Sequence, residues 1–173
     1  TFNNIRTISL FSGAGGLDEN IWTTCYNKGL YKISNKKAPF SFWSLATQDI
    51  KSGSAMSSLT MGSDGNIWCT IQNNGLYVFN KQGELLEHPN SPMGTNLVYC
   101  DRRGRYWLCT ENSIYSYNPA TGLSTKLADL HGWGINCMAD DMQGNLYVSI
   151  FGKGLWVYDM ATGKSRTYSM NEQ

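Results

Sequence analysis

A unit of about 40 residues occurs four times in this chain, and no other feature of the sequence constrains the fold as strongly. The copies read DENIWTTCYNKGLYKIS, DGNIWCTIQNNGLYVFN, RGRYWLCTENSIYSYN and QGNLYVSIFGKGLWVYD. Their first aromatic residues are Trp22, Trp68, Trp107 and Tyr147, at intervals of 46, 39 and 40 residues. A repeat of this length is typical of β-propellers, in which each repeat forms one small sheet called a blade.

Each copy has the pattern of four short strands separated by turns. In the second copy the apolar segments are 56–61, 67–71, 76–80 and 85–88, and the other copies carry matching segments. Turns such as SDGN, NNG and KQG separate them and supply the positive φ values that tight hairpins need. The pattern predicts sixteen short antiparallel strands and no substantial helix.

The predicted strands are apolar on both faces. In segment 67–71, Ile67, Cys69 and Ile71 point to one face, whereas Trp68 and Thr70 point to the other. A sheet with one face in water alternates more cleanly with polar residues, so each of these sheets needs a neighbour on both sides. Radial packing of blades provides those neighbours.

The prediction is therefore an all-β fold, a partial β-propeller of about four four-stranded antiparallel blades. The chain is a single propeller segment with blades at approximately 1–50, 51–92, 93–131 and 132–173. A double β-sandwich is the alternative, but a sandwich does not require a fixed period. Because propellers typically have four to eight blades, we expect a fragment of a larger propeller, cut from a longer protein. An unclosed ring would expose apolar faces on its end blades and favour pairing with a second copy.

Composition excludes several classes of function. The net charge of +1 gives no electrostatic reason to expect contact with nucleic acid or with an anionic membrane. Five Cys without a C-x-x-C motif, together with only two His, argue against a zinc site, and we expect neither a metal nor a cofactor. The Cys residues lie in predicted strands, where they are expected to be small buried apolar side chains.

The repeat resembles a known family. The pattern D-x-x-G-x-[IL]-[WY]-[IV]-[GC]-T, followed by G-G-[IL]-x-[RVK]-[YF]-[DN], is similar to the two-component regulator propeller repeat. The second copy matches through Asp64, Gly65, Ile67, Trp68, Thr70, Gly75, Leu76, Tyr77, Phe79 and Asn80. The fourth copy matches through Asp141, Gly144, Leu146, Tyr147, Gly154, Leu155, Tyr158 and Asp159. The first copy departs through the insert SGAGGLDEN, and the third has Glu111-Asn112-Ser113 in place of the hairpin Gly.

The resemblance implies a sensor. Such repeats build the periplasmic part of hybrid two-component histidine kinases, best known in Bacteroides-type bacteria. The resemblance also implies that the chain recognises a polysaccharide-derived ligand. It implies that the receptor is a homodimer in the inner membrane, whose rearrangement transmits the signal. Only the parent chain would be an enzyme, because no kinase motif occurs in these 173 residues.

Candidate ligand contacts lie on the turns between second and third strands and on the connections between blades, because function on such scaffolds sits in loops. They are Trp133, His131, Tyr26, Lys28, Asn73, Asn74, Glu111, Asn112 and Lys153. Amides hydrogen-bond sugar hydroxyls, and a Trp face covers the apolar side of a sugar ring. Turn geometry alone also explains the Asn residues, whereas it does not demand a loop Trp such as Trp133.

Two other functions stay open at this point. One is a propeller lyase similar to streptogramin lyase, which would need a metal or a His base near the central axis. Only His88 and His131 are present for that role. The other is a structural or protein-binding propeller, in which these blades contact no ligand.

Overall fold

The computed structural model describes residues 54–131 and 134–169 in full, together with the backbone of four strands nearer the N-terminus. The strands are β1 (Ser9–Phe11), β2 (Asn20–Cys25), β3 (Gly29–Ser34), β4 (Phe40–Trp43), β5 (Met56–Met61), β6 (Ile67–Ile71), β7 (Gly75–Phe79), β8 (Leu85–Glu87), β9 (Leu97–Cys100), β10 (Tyr106–Cys109), β11 (Ser113–Asn118), β12 (Leu123–Asp129), β13 (Ile135–Asp140), β14 (Asn145–Ile150), β15 (Gly154–Asp159) and β16 (Ser165–Tyr168). Among the described residues no helix occurs.

Consecutive strands form four separate four-stranded sheets, each an antiparallel meander. We call them blades one to four, and each is built from strands adjacent in the sequence. In blade two, β5 pairs with β6, β6 with β7 and β7 with β8. The predicted all-β partial propeller is confirmed, and strands β5 and β6 have the predicted bounds.

The two faces of blade two enter two different apolar clusters, as the alternation of its side chains predicts. On one face, Ile67, Cys69 and Ile71 pack with Tyr77 and Phe79 of β7. The other face packs against the first three strands of blade three. The residues of this cluster are Trp68, Leu76 and Val78 of blade two with Val98, Tyr106, Leu108 and Tyr117 of blade three. Every side chain of β6 is buried, so blade two is a packed layer inside the stack.

Blades three and four pack in the same way. Trp107, Cys109 and Ile114 of blade three meet Leu146 and Val148 of blade four in one buried cluster. The Trp107 ring lies edge-on to the ring of Tyr158, with centroids 6.3 Å apart. Trp107 therefore occupies in blade three the position that Trp68 occupies in blade two. In both blades the following blade covers this face.

In blade four the corresponding face is partly open. Leu155 occupies the position of Leu76 and Ile114, which are 0% exposed, yet Leu155 is 36% exposed. Tyr147, at the position of Trp68, is half-buried. In blades two and three the next blade covers this apolar face. In blade four, the last described blade, the same face is left partly exposed. This is the exposed end face that an unclosed ring predicts.

The predicted burial of the cysteines is correct for two of the four whose side chains the structure describes, and the side chain of Cys25 lies outside the described residues. Cys69 and Cys109 are buried on β6 and β10, and burial raises the pKa of both thiols. Cys100 is half-buried and Cys137 is exposed, because both lie on the first strand of a blade, where one face is only partly covered. The four described cysteines are all free thiols.

An aspartate orders the turn between the first and second strands of each fully described blade. In blade three, Asp101 accepts hydrogen bonds from the backbone N–H groups of Arg103 and Arg105 and from the indole N–H of Trp107. In blade four, Asp141 does the same for Gln143, Asn145 and the hydroxyl of Tyr147. The Asp of the repeat motif therefore closes the turn and anchors the aromatic residue of the second strand.

Blade two reaches the same arrangement from a different position. Gly62 stands where blades three and four have their Asp, and the carboxylate comes instead from Asp64, two residues later. A Cβ atom at Gly62 would lie 2.4 Å from the Asp64 carboxylate and 2.4 Å from the Tyr106 hydroxyl. Asp64 accepts from the indole N–H of Trp68 at 3.3 Å. Asp64 therefore orders the turn as the motif Asp does in blades three and four, but it lies two residues later in the repeat.

Stability should depend on pH through Asp141. Hydrogen bonds from Asn145, and then from Tyr147 and Gln143, hold the pKa of Asp141 well below its usual range. A carboxyl whose pKa is lower in the folded than in the unfolded chain stabilises the fold above about pH 4, and this stabilisation is lost as the pH falls further. We expect Asp141→Asn to lower the urea midpoint at pH 7, and the difference from the parent to shrink between about pH 4 and pH 2.5.

The control is Gln143→Ser, because the exposed Gln143 side chain is not needed for the backbone hydrogen bond to Asp141. Its difference from the parent should stay near zero across the same pH range. An Asp141→Asn difference that is constant from pH 7 to pH 2.5 would contradict the role of the ionised carboxylate.

Candidate functional site

The turns at one end of blades two, three and four surround an open depression of about 810 Å³. The β6–β7 turn, the β10–β11 turn and residue 151 of the β14–β15 turn line it. Residues 93–96, which lead into β9, and residues 134–136, at the start of β13, complete the lining. This is the end of the blades that the sequence predicts as a binding face, made by the hairpin turns and the connections between blades.

Turn geometry explains part of the blade-two contribution. Asn73 has φ 63°, in the left-handed region that Asn tolerates better than other side chains, and it lines the depression with its neighbour Gln72. The Asn74 side chain instead donates to the Ser54 hydroxyl at 3.1 Å and to the Gln72 carbonyl at 3.0 Å. Asn74 is therefore a structural residue of the turn and does not line the depression.

The blade-three turn presents Glu111 and Asn112 at its exposed tip, and both line the depression. The predicted departure from the hairpin Gly is compensated by Thr110, whose hydroxyl accepts from the Ser113 N–H at 3.2 Å. Ser113 then donates to Asp129 at 2.6 Å, which ties the turn to the end of β12. These hydrogen bonds hold the turn in place, and its acidic and amide residues, Glu111 and Asn112, line the depression.

Blade four contributes an aromatic ring. Phe151 is 61% exposed and lines the depression, and its backbone N–H donates to the Gly134 carbonyl at 2.9 Å. This hydrogen bond joins the β14–β15 turn to the connection before β13, and Asn136, the second residue of β13, also lines the depression. Lys153 belongs to the same turn and is exposed, but it is not a lining residue.

Asn96 is a lining residue whose side chain carries a buried, unsatisfied acceptor. Its backbone N–H donates to the Cys109 carbonyl at 2.9 Å, and its own carbonyl accepts from the Thr70 hydroxyl at 2.9 Å. The side-chain Oδ1 is buried and has no hydrogen-bond partner among the described residues. Buried polar groups are nearly always satisfied, so this oxygen marks a place where a donor is missing.

Three of the nine predicted contact residues come together in this depression, namely Asn73, Glu111 and Asn112. Asn74, His131 and Lys153 are described but do not line it. Tyr26, Lys28 and Trp133 lie outside the described residues. The structure adds Gln72 and Phe151, whose positions on the same turns were the signal available in the sequence. It also adds Asn136, within β13, and Asn96, just before β9, for which the sequence carried no such signal.

Neither histidine lines the depression. The His88 ring stacks on the Tyr77 ring with centroids 4.1 Å apart, and its Nε2 lies 2.8 Å from the Asn74 carbonyl oxygen. His131 is exposed, two residues beyond Asp129. Over the described part of the chain, no group of three or more His, Cys, Asp or Glu residues is placed to hold a metal ion.

Solved structures with a similar fold include extracellular domains of two proteins from Bacteroides thetaiotaomicron. The domain of BT3049, described as a hybrid two-component system, matches 94% of this chain with a TM-score of 0.73 and 16% sequence identity. The domain of BT4673, also described as a hybrid two-component system, matches 95% with a TM-score of 0.66 and 17% identity. The chain spans 23% of each of these domains.

The fold is a partial β-propeller. The WD40 repeats of RRP9 match 94% of the chain with a TM-score of 0.70 and 10% identity, and the chain covers 54% of that structure. This score is close to those of the bacterial domains, so the likeness establishes the architecture and does not by itself assign an activity. The resemblance predicted from the repeat motif is confirmed at the level of the fold.

No protein-family model and no curated protein matches the sequence. Within the residues that the structure describes, there is no helix of the length and apolarity that a bilayer crossing requires.

Proposed function

We propose that this chain is the ligand-recognition module of an extracytoplasmic sensor in a two-component receptor, and that it binds its ligand in the depression described above. The observation that carries the proposal is the convergence of turns from three blades on one depression lined by amides, hydroxyls and an exposed Phe. Residues from different blades meet there although they are about 40 positions apart in the sequence. Loops held by a rigid scaffold are where binding sites usually form.

The structural neighbours support the receptor context. Two are extracellular domains of proteins described as hybrid two-component systems, and each is about four times longer than this chain. A chain in the same context would be periplasmic and would belong to an inner-membrane histidine kinase. The partly open face of blade four, with Leu155 exposed, supports continuation of the propeller by further blades.

The lining supports an oligosaccharide derived from a polysaccharide as ligand. Gln72, Asn73, Asn112 and Asn136 offer amide donors and acceptors for sugar hydroxyls, and Phe151 offers a flat apolar surface. Binding would signal by favouring one arrangement of a receptor homodimer over another, because a ligand shifts an equilibrium only by its differential affinity for the two states. The module itself would catalyse no reaction.

A binding measurement on aromatic and amide variants tests the proposal. We expect isothermal titration calorimetry to detect binding of at least one neutral or acidic tetrasaccharide from a panel of glucose, mannose, xylose, galactose and uronic acid polymers. Phe151→Ala should weaken that binding about tenfold or more, because an aromatic anchor at a binding site typically contributes over 1 kcal/mol. Asn112→Ala should weaken it less, since one hydrogen bond contributes about 1 kcal/mol.

Met142→Ala is the matched control, because Met142 is 84% exposed on the turn at the opposite end of β14. It should bind the same tetrasaccharide as tightly as the parent chain. Equal affinities of the Phe151→Ala and Met142→Ala variants would place the site elsewhere, and no binding by any panel member would contradict the glycan-sensor proposal.

A further inference from the structure

Among the described residues that line the depression, a single side chain is ionisable. Glu111 is the one ionisable residue among the described lining residues, and it is exposed at the tip of the β10–β11 turn. No described residue forms an ion pair or a hydrogen bond with its carboxylate. The described lining therefore presents a free negative charge to a bound ligand.

The described cations of blade three do not balance that charge, because Arg102, Arg103 and Arg105 lie on the turn at the opposite end of β10 and Lys126 is already paired. Lys126 pairs with Asp129 at 2.5 Å, and Asp129 is held further by the Ser113 hydroxyl. These two donors hold the pKa of Asp129 below its usual range, so the pair is ionised and mutually satisfied. Arg105 pairs with Asp101 at 2.8 Å, at the opposite end of β10. Lys153 is exposed on the neighbouring turn but does not line the depression.

The hydrogen-bonding character of the lining points in the same direction as its charge. A carboxylate such as Glu111 only accepts hydrogen bonds. A sugar hydroxyl can donate to it. The carboxylate of a uronic acid, or a sulfate group, cannot donate to it and would be repelled by it.

We infer that the depression selects neutral oligosaccharides over acidic ones, and that Glu111 is the residue that excludes acidic sugars. This inference rests on the proposed function, and it adds the ligand class and a specificity-determining residue. Glu111 acts by repulsion of the wrong ligand, while the amides and Phe151 supply the attraction common to both classes.

The test uses pairs of tetrasaccharides that differ only at C6. These are β-1,4-mannotetraose against the β-1,4-mannuronate tetramer, and α-1,4-galactotetraose against the α-1,4-galacturonate tetramer. For each pair, calorimetry at 50 mM salt compares the parent chain with Glu111→Gln and Glu111→Lys. Because Glu111 is exposed and makes no hydrogen bond within the described residues, both variants should keep the parent circular dichroism spectrum. Glu87→Gln, at an exposed position at the end of β8, is the matched control.

We expect the parent and the Glu87→Gln variant to bind the neutral member of a pair at least about tenfold more tightly than its acidic partner. Glu111→Gln should reduce that ratio several-fold, and Glu111→Lys should reduce it further by attracting the acidic tetramer. Raising the salt to 500 mM should reduce the parent's ratio, because exposed charges are then screened within a few ångströms.

Three results would count against the inference in different ways. Equal or tighter binding of the acidic member by the parent would overturn the selectivity while leaving the glycan-sensor proposal intact. A neutral preference that is unchanged in Glu111→Gln and Glu111→Lys would remove Glu111 from the role. Absence of binding by both members of both pairs, and by the rest of the panel, would remove the proposed function and the selectivity together.

Discussion

Replacing Trp68 by Ala is expected to lower the free energy of unfolding by about 3–5 kcal/mol, the range for removing a large buried aromatic side chain. Trp68 is 2% exposed and packs between blades two and three. Its ring centroid lies 4.5 Å from that of Tyr106 and 6.0 Å from that of Tyr117. The substitution would leave a cavity in the interface and would free the Asp64 carboxylate from the indole N–H.

Urea unfolding followed by far-ultraviolet circular dichroism measures this loss without relying on Trp fluorescence. Trp68→Phe separates the two contributions, because it keeps an aromatic ring and removes only the indole N–H and part of the volume. We expect its loss to be less than half that of Trp68→Ala. The surface control is Leu86→Ala, since Leu86 is 51% exposed and should change stability by no more than about 0.5 kcal/mol. A Trp68→Ala loss below about 1 kcal/mol would show that the blade interface does not hold the fold together.

Asp101→Ala should destabilise the chain by about 2–4 kcal/mol, because it removes the buried acceptor of two backbone N–H groups and of a buried indole N–H. Asp101 is 4% exposed and accepts from two backbone N–H groups, the indole of Trp107 and the guanidinium of Arg105. Alanine would leave the buried Trp107 N–H without a partner and Arg105 without its counter-charge. The same urea titration measures the effect.

Two further variants calibrate that result. Asp101→Asn keeps the volume and one acceptor oxygen, so a smaller loss of about 1–3 kcal/mol is expected. Asp141→Ala removes the equivalent Asp of blade four, where the carboxylate is more accessible to water, and should cost less than Asp101→Ala. If Asp101→Ala and Asp141→Ala were equally destabilising, burial would not be what makes Asp101 important.

Polar side chains as well as apolar ones join the blades beneath the depression. The Thr70 hydroxyl of blade two donates to the Asn96 carbonyl, and the Val98 N–H of blade three donates to the Ser58 hydroxyl at 2.7 Å. Between blades three and four, the Tyr99 hydroxyl hydrogen-bonds Asp140. Asn96, one of the residues that line the depression, is thus fixed through its backbone to both neighbouring strands.

The sequence by itself determined the strands, their order and the two apolar faces of each blade. Strand pairing in a meander is local, because each strand bonds to the one before it and the turn between them dictates the register. The alternation of Ile67, Trp68, Cys69 and Thr70 therefore assigned each side chain to the correct face of the blade, and the 40-residue period identified the blades as repeated layers.

Only the tertiary structure decided which turn residues meet and which serve the turns themselves. Asn73 and Asn74 are adjacent and chemically identical, yet one lines the depression and the other hydrogen-bonds Ser54. In blade two the carboxylate comes from Asp64 and not from position 62, because a side chain at Gly62 would collide with the Tyr106 hydroxyl of the next blade. These outcomes depend on how neighbouring blades pack, and that packing joins residues about 40 positions apart, beyond the reach of any local pattern of turns or strands.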